Sequence, residues 1–206
     1  MPHHIGCVAR AVAIAVFAVP FLIASVSVSA EAETLLERMA GTYQIVPSRT
    51  SASFRVDQVG GPGIDGQFND FSGTITLNGD DITKSVVDVT IRTGDMTTGD
   101  AAQDDFIKGR SIFNVARHPE GRFRSTSVRQ ISDMTARVEG TLTLKGISKP
   151  VTFFVSLVQA RGQGRGLTAE FAVQGVFQRG LFNMGIGVPL YANVVKLNIR
   201  ATARRT

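Results

Sequence analysis

Apolar and polar side chains alternate along most of the chain between residues 42 and 203. Val87, Val89 and Ile91 are apolar, for example, whereas the residues between them are polar or charged. Successive side chains of a β-strand point to opposite faces, so this period places one face of each strand in a core and the other in water. The pattern predicts an all-β, antiparallel domain of eight or nine strands. The other segments with this period have apolar residues at Ala52, Phe54 and Val56; Val138, Leu142 and Leu144; Val151, Phe153, Val155 and Leu157; Leu167, Ala169, Phe171 and Val173; and Val195, Leu197, Ile199 and Ala201.

So many one-sided strands need a partner for their apolar face. The sheet can cover a second sheet, or it can close on itself and so remove its exposed edges. The sequence pattern leaves both architectures open. It also leaves open whether the apolar interior is packed solid by its own side chains or encloses a cavity.

One stretch departs from the period of two and has the features of a short helix. Asp100 is followed three residues later by a glutamine, which resembles a capping box. Asp104 lies in the first turns and Lys108 near the end, as the helix dipole favours. Gly109 follows as a stop. We expect a helix over residues 101–108 that interrupts the sheet.

The N-terminus has the organisation of a secretory signal peptide. Arg10 precedes an apolar run over residues 11–24, and the small residues Val28-Ser29-Ala30 come before an acidic residue. The alternative is an uncleaved membrane anchor. A membrane span needs about 20 apolar residues, and this run reaches that length only if its serines are counted. We therefore expect cleavage after Ala30 and export to the periplasm.

This cleavage divides the chain into three parts. They are a signal peptide over residues 1–30, a short helical lead-in over residues 31–41, and a β-domain over residues 42–206. The formal net charge of +5 comes from scattered cations. Such a distribution allows weak attraction to anionic membranes or acidic partners, and it does not indicate a nucleic-acid face.

Few residues in the mature chain are suited to catalysis or to metal binding. The single Cys and two of the three His lie within residues 1–30, which leaves His118. One imidazole cannot form a His- or Cys-based zinc site, so we expect neither a bound transition metal nor a disulfide. His118 precedes a proline, and we interpret it as a loop residue because no orienting partner for a general base is evident. The adjacent carboxylates of Asp104 and Asp105 do not face one site. The sequence therefore predicts no catalytic residues and a protein that is not an enzyme.

Five modest motifs occur in a fixed order along residues 42–203. They are Thr42-Tyr43-Gln44-Ile45 with Ser51-Ala52-Ser53-Phe54-Arg55-Val56; Gly66 to Ile75; Thr93 to Gly99 with Asp104-Asp105, Phe113-Asn114-Val115, Pro119 and Phe123; Leu142 to Val151; and Arg179, Phe182 and Met184. In this order and spacing they resemble the YceI-like family of lipocalin-like, polyisoprenoid-binding proteins. The resemblance covers nearly the whole mature chain.

The resemblance implies an elongated eight-stranded antiparallel lipocalin-like barrel with one short helix inserted. It further implies a periplasmic and often dimeric protein, whose interior holds a long apolar ligand such as an isoprenoid, a quinone-like molecule or a fatty compound. Three residues are candidates for the mouth of the barrel, namely Asp104, Lys108 and Arg179. The candidates for the apolar lining are Phe54, Val56, Phe68, Phe71, Val89, Phe106, Phe113, Phe153, Phe171, Phe177 and Phe182.

Two departures from the family pattern bear on the ligand. Where the family often has Arg-Asp-x-His-Leu, this chain has Gln103-Asp104-Asp105-Phe106-Ile107, and where Lys-His is frequent it has Asp57-Gln58-Val59-Gly60. The lost basic groups favour a neutral or weakly polar head group. Two alternatives to a carrier are an accessory protein that presents a quinone-like ligand to a membrane cytochrome, and an isomerase or cyclase, for which an acid–base pair is lacking.

Overall fold

The computed structural model describes residues 34–206, so the predicted signal peptide lies outside the described residues. Residues 34–206 contain two α-helices, α1 Leu35–Met39 and α2 Ala101–Lys108. None of the helices between residues 34 and 206 is long and apolar enough to cross a membrane. The strands are β1 Gly41–Ile45, β2 Ser51–Gln58, β3 Ile64–Phe68, β4 Phe71–Leu77, β5 Val86–Arg92, β6 Glu120–Ser132, β7 Thr135–Leu144, β8 Ile147–Arg161, β9 Thr168–Gln178 and β10 Tyr191–Arg205.

The ten strands form a closed antiparallel barrel with eight positions. β10 pairs with β2 along most of its length and with β1 at its end, so β1 and β2 act as one strand interrupted by a 3-10 turn at Pro47–Arg49. β3 and β4 form a second interrupted strand, since β2 pairs with β3 and β1 pairs with β4. Strands β5 to β10 then follow in chain order. The expectation of an eight-stranded barrel is confirmed.

The period of two determines which side chains face inward. In β8, Val151 and Phe153 are buried, whereas Phe154, between the inward positions, lies on the outer face. Closure of the sheet joins the inward faces of all strands around one interior, as the sequence pattern requires. The apolar core therefore surrounds the axis of the barrel.

The insertion between β5 and β6 contains the predicted helix. The Asp100 carboxylate accepts a hydrogen bond from the Gln103 amide at 2.9 Å, as an N-cap should. In a full capping box the Gln103 side chain would accept a hydrogen bond from the Asp100 amide. Here the Asp100 amide donates instead to the Thr98 hydroxyl at 3.3 Å. The Asp104 carboxylate accepts from the Thr98 amide at 2.6 Å and from its hydroxyl at 2.7 Å. These contacts hold α2 against the segment that precedes it.

The barrel has two distinct ends, which are named here for the helices beside them. The α1 end is formed by α1, the 3-10 turn Ile82–Lys84, the β6–β7 turn and the β8–β9 loop. The α2 end is formed by the β2–β3 loop, the insertion that carries α2, the β7–β8 turn and the segment between β9 and β10.

Candidate ligand-binding cavity

The barrel encloses a cavity of about 660 Å³, a size typical of pockets that hold small molecules. Its interior is therefore not packed solid by its own side chains. Inward residues of all ten strands contribute to the wall. All the predicted apolar residues except Phe182 line the cavity, namely Phe54, Val56, Phe68, Phe71, Val89, Phe106, Phe113, Phe153, Phe171 and Phe177.

Aromatic contacts fix much of this wall. The ring centroids of Phe54 and Phe68 are 5.4 Å apart, and Phe113 meets Phe68 edge-on at 5.8 Å. On the other side of the barrel, Phe123 meets Phe153 edge-on at 5.0 Å. Such pairs add to the stabilisation that burial alone provides. The wall is a set of mutually packed rings.

Phe182 does not belong to the lining, so the expectation that it lines the cavity is wrong. It lies on the 3-10 turn Arg179–Phe182 that follows β9 and is fully buried. Its ring packs edge-on against the Phe177 ring, with the two centroids 5.5 Å apart, and of the two only Phe177 lines the cavity. The period of two ends with the strand, so it does not give the direction of a side chain on this turn.

Arg179 lines the cavity near the α2 end, although it is only 7% exposed. Its guanidinium donates hydrogen bonds to four backbone carbonyls, and burial lowers the pKa of Arg179. It therefore holds together the segment between β9 and β10 and is not the open mouth contact that the sequence suggested. The acceptors are the carbonyl oxygens of Met184, Ile186, Tyr191 and Ala192.

The other two predicted mouth residues lie beside the cavity and do not line it. Asp104 is bound to Thr98, and the hydroxyl and amide hydrogen bonds from Thr98 lower the pKa of the Asp104 carboxyl. Lys108 lies at the end of α2, half-buried. The α2 residues that do line the cavity are Gln103, Phe106 and Ile107, with Phe106 54% exposed. The polar and exposed groups of the wall at the α2 end therefore include the Gln103 amide, the Phe106 ring and the carboxylate of Asp100.

A second opening lies at the α1 end, where the sequence indicated none. The exposed residues Gln130, Asp133 and Met134, near the β6–β7 turn, contribute to the cavity wall together with Leu36 of α1. The signal for this opening is the change from apolar to polar residues on the inward face of β6, where Gln130 follows Val128. The cavity thus reaches solvent-exposed residues at both ends of the barrel.

His118 lies outside the cavity lining. Its backbone amide donates to the Asn114 carbonyl at 2.9 Å, its own carbonyl accepts from the Thr93 hydroxyl at 3.0 Å, and its ring faces Gly146 in the β7–β8 turn. These contacts indicate that His118 has a structural role in the loop that precedes β6. Residues 34–206 contain no group of three or more His, Cys, Asp or Glu placed to hold a metal ion.

The family model of the YceI-like domain matches residues 43–203, from β1 to near the end of β10. The match covers the whole barrel apart from the ends of these two strands. The chain belongs to the YceI-like family. Among curated relatives, a UPF0312 protein of Yersinia pestis (strain Pestoides F) is 36% identical over 135 residues, which cover 64% of this chain and 68% of the relative. A UPF0312 protein of Pseudomonas aeruginosa (strain LESB58) is 35% identical over 130 residues, covering 62% and 66%.

Solved structures share the YceI-like barrel at lower identity. BcnA of Burkholderia cenocepacia superposes with a TM-score of 0.68 at 23% identity, over 77% of this chain and 98% of BcnA. A polyisoprenoid binding domain from Saccharophagus degradans, implicated in plant cell wall breakdown, superposes with a TM-score of 0.61 at 12% identity, over 80% of this chain and 98% of that domain. At these identities the likeness shows the fold.

Proposed function

We propose that this protein is a periplasmic binding or carrier protein for a long apolar isoprenoid or lipid-like molecule held inside the barrel. The observation that carries the proposal is the cavity of about 660 Å³, lined mainly by Phe, Val, Ile and Leu side chains and open at both ends. An elongated apolar space suits a chain-like guest. The Saccharophagus degradans domain, described as polyisoprenoid binding, supports the choice of an isoprenoid.

The driving force for binding is the removal of the guest from water. Each buried CH₂ group contributes roughly 0.8 kcal/mol. The loss of translational freedom and the ordering of a flexible chain offset part of this gain. The expected affinity is moderate to tight, and it increases with the length of the apolar chain until the cavity is filled.

The polar residues of the wall favour a guest with a neutral or weakly polar end, such as a quinone, an alcohol or an amide. Among the lining residues between positions 34 and 206, Arg179 is the only cation, and its guanidinium already binds four backbone carbonyls. Gln103 offers a neutral amide at the α2 end. A pyrophosphate would require cations with unused hydrogen bonds, which this wall does not supply.

The same wall supports binding over catalysis. Its two carboxylates, Asp100 and Asp133, belong to opposite ends of the barrel, and His118 lies outside the lining. A general acid and a general base acting on one substrate must lie within hydrogen-bond reach of the same reacting atoms. The separation of these groups leaves the guest without such a pair.

Extraction of the purified protein tests this proposal. We expect organic solvent to release a mostly apolar molecule with a small polar end, identified by mass spectrometry. Phe153→Asp places a charge in the wall and should abolish retention, whereas His118→Ala should retain the guest. Empty extracts of well-folded protein, together with no binding of added prenyl or fatty compounds, would refute the proposal.

Export is tested separately by N-terminal sequencing of the periplasmic form. We expect the mature chain to begin at Glu31, after the small residues Val28-Ser29-Ala30. A membrane-bound form that still carries residues 11–24 would contradict cleavage and favour the anchor. Ligand extraction does not depend on this result.

A further inference from the structure

We propose that the α1 end of the barrel docks on the surface of an anionic lipid bilayer, so that the α1 opening of the cavity faces the lipid. The docking surface consists of the β6–β7 turn and the β8–β9 loop with their flanking strand ends. The evidence for docking is the distribution of charged and exposed apolar side chains at the α1 end. The transfer of a guest through this opening rests in addition on the proposed function.

Charge is distributed unevenly between the two ends. At the α1 end cations clearly outnumber acids, whereas at the α2 end the numbers of cations and acids are nearly equal. The α1-end cations are Arg38, Arg49, Lys84, Arg129, Arg137, Arg161, Arg165, Arg200, Arg204 and Arg205, and the acids there are Glu37, Asp80, Asp81, Asp133, Glu139 and Glu170. The α2-end cations are Arg55, Arg92, Lys108, Arg110, Arg117, Lys145, Lys149, Arg179 and Lys196, and the acids there are Asp57, Asp65, Asp70, Asp95, Asp100, Asp104, Asp105 and Glu120.

The register of the strands concentrates the α1-end cations on the outer surface. Arg129 lies directly opposite Arg137 across β6 and β7, and like charges in this position destabilise a sheet. Arg161 and Arg204 flank Thr168 in one row across β8, β9 and β10. Among residues 34–206, Arg137 has Glu139 as a partner, whereas the other three arginines form no ion pair. An anionic surface would compensate these charges.

Exposed apolar side chains project among these arginines. Ile131 is 56% exposed, Met134 44% and Val158 57%. Ile131 and Val158 lie at breaks in the pairing, because the register shifts between Gln130 and Ser132 in β6 and between Leu157 and Gln159 in β8, and Met134 lies in the β6–β7 turn. Apolar side chains next to cations are the combination that binds the interface of an anionic membrane.

This apolar tip is continuous with the cavity opening. Met134 is both exposed and part of the cavity wall. Its carbonyl accepts a hydrogen bond from the Leu157 amide at 2.8 Å, which fixes the β6–β7 turn beside Val158. A bilayer in contact with Met134 would therefore lie at the α1 opening, and an apolar guest could pass between bilayer and cavity without crossing water.

The α2 end provides the internal comparison. It exposes more apolar side chains, including Val59, Ile186 and Leu190, but its cations and acids are nearly equal in number. Attraction to an anionic bilayer acts on charge over roughly a Debye length, about 10 Å at 0.1 M salt. The charge distribution therefore favours contact of the α1 end, and not of the α2 end, with an anionic bilayer.

Vesicle flotation tests the role of charge. Vesicles of equal parts phosphatidylglycerol and phosphatidylcholine should bind the exported protein at low salt and release it at high salt, and pure phosphatidylcholine vesicles should bind it weakly. The triple variant Arg129→Gln, Arg161→Gln, Arg165→Gln should lower the partition coefficient about a hundredfold, since each cation near such a surface contributes about 1 kcal/mol. The matched variant Arg110→Gln, Arg117→Gln, Lys149→Gln should have little effect. Equal effects of both variants, or no binding to either vesicle, would overturn the proposal.

Tryptophan fluorescence tests the orientation. The chain contains no Trp, so a single introduced Trp is a unique reporter. With anionic vesicles, Met134→Trp should shift its emission to the blue and be quenched by brominated lipid, while Leu190→Trp at the α2 end should not. A blue shift confined to Leu190→Trp would show that the opposite end docks and would overturn the assignment.

The two proposals can fail independently. If the protein docks through the α1 end but binds no apolar guest, the carrier function fails and docking stands. If the protein binds guests from detergent but the two tryptophan variants behave alike on vesicles, docking fails and the carrier function stands.

Discussion

At the scale of single residues, two of the rings that form the cavity wall lie over glycines of a neighbouring strand. Phe54 is paired with Gly66 across β2 and β3, and Phe153 with Gly175 across β8 and β9. In both pairs the ring occupies the space where a Cβ atom of the glycine would lie. The absence of a side chain on one strand therefore fixes the position of the ring on the other.

Gly175→Ala should displace the Phe153 ring and reduce the space for a guest. Overpacking of this kind typically costs 1–3 kcal/mol, so the variant should unfold at lower urea concentration and bind a fluorescent fatty probe more weakly. Gly94→Ala is the control, because a Cβ at Gly94 would meet no heavy atom within 4 Å. Unchanged stability and probe binding in Gly175→Ala would contradict this account of the wall.

Arg179→Met should destabilise the protein by about 3 kcal/mol, because it leaves several buried carbonyl oxygens without donors. Arg179→Lys should recover little of the loss, since an ammonium cannot reproduce the planar arrangement that reaches four carbonyls. Urea unfolding measures both, with the exposed Arg110→Lys as control. A stable Arg179→Met variant that had lost only guest binding would instead assign Arg179 to the ligand.

The lining residues on strands could be predicted because the period of two gives their direction. That argument places Phe54, Val89 and Phe171 on the inner face, where the structure has them. It fails for Phe182 and Arg179, which follow the end of β9 on a 3-10 turn. Their contacts depend on where distant carbonyls converge, and nothing in the local sequence encodes that.

At the scale of elements, the link between α2 and the preceding segment depends on pH. Hydrogen bonds from the Thr98 hydroxyl and amide lower the pKa of Asp104 below its unfolded value of about 3.9. The ionised carboxylate therefore stabilises this contact at pH values above the unfolded pKa, and the contribution is lost as the pH falls through the lower, folded-state pKa.

The Thr98 amide reports this titration. Its NMR chemical shift should move, and its hydrogen exchange should lose protection, only in strongly acid solution. Asp104→Asn should abolish the pH dependence, whereas Asp105→Asn should leave it intact. A Thr98 amide whose shift does not change with pH in the original protein would show that the carboxylate does not hold the segment.

Prediction of elements succeeded where one pattern covers a whole segment, as in β5, β8 and β10, and for α2 with its capping signals. It was weakest in β6, where the inward positions include Ser125 and Gln130 and the register shifts twice. Each shift exchanges the inward and outward sets of residues, so a single alternation cannot describe the strand. The second of these shifts lies next to the exposed β6–β7 turn.

At the scale of the whole molecule, closure of the barrel could not be derived from the strand pattern. The closing contacts pair Tyr43 with Arg205 and Ile45 with Ala203, which lie at opposite ends of the domain sequence. Tyr43 is fully buried at this seam, and its hydroxyl donates to the Met39 carbonyl at 2.6 Å. Alternation fits a sandwich equally well, so the resemblance to a family had to decide between them.

A barrel that encloses an open cavity should be more stable with its guest than without it. A ligand present at a hundred times its Kd and bound only by the folded state adds about 2.7 kcal/mol. For a domain of this size, 1 kcal/mol corresponds to roughly 2–4 °C, so saturation with a suitable prenyl compound should raise the Tm by about 5–10 °C. Scanning calorimetry of extracted protein with and without the compound measures the shift.

The same increase in Tm can test whether the guest enters through the α1 end, if the compound is supplied either from detergent or from anionic vesicles. Wild-type protein should show the same increase in Tm whether the compound is supplied from detergent or from anionic vesicles. The triple variant Arg129→Gln, Arg161→Gln, Arg165→Gln keeps the cavity wall unchanged, so it should respond to detergent-borne compound and respond slowly to vesicle-borne compound. Equal response by both routes would show that the guest reaches the cavity through water, and that the arginines of the α1 end do not govern its entry.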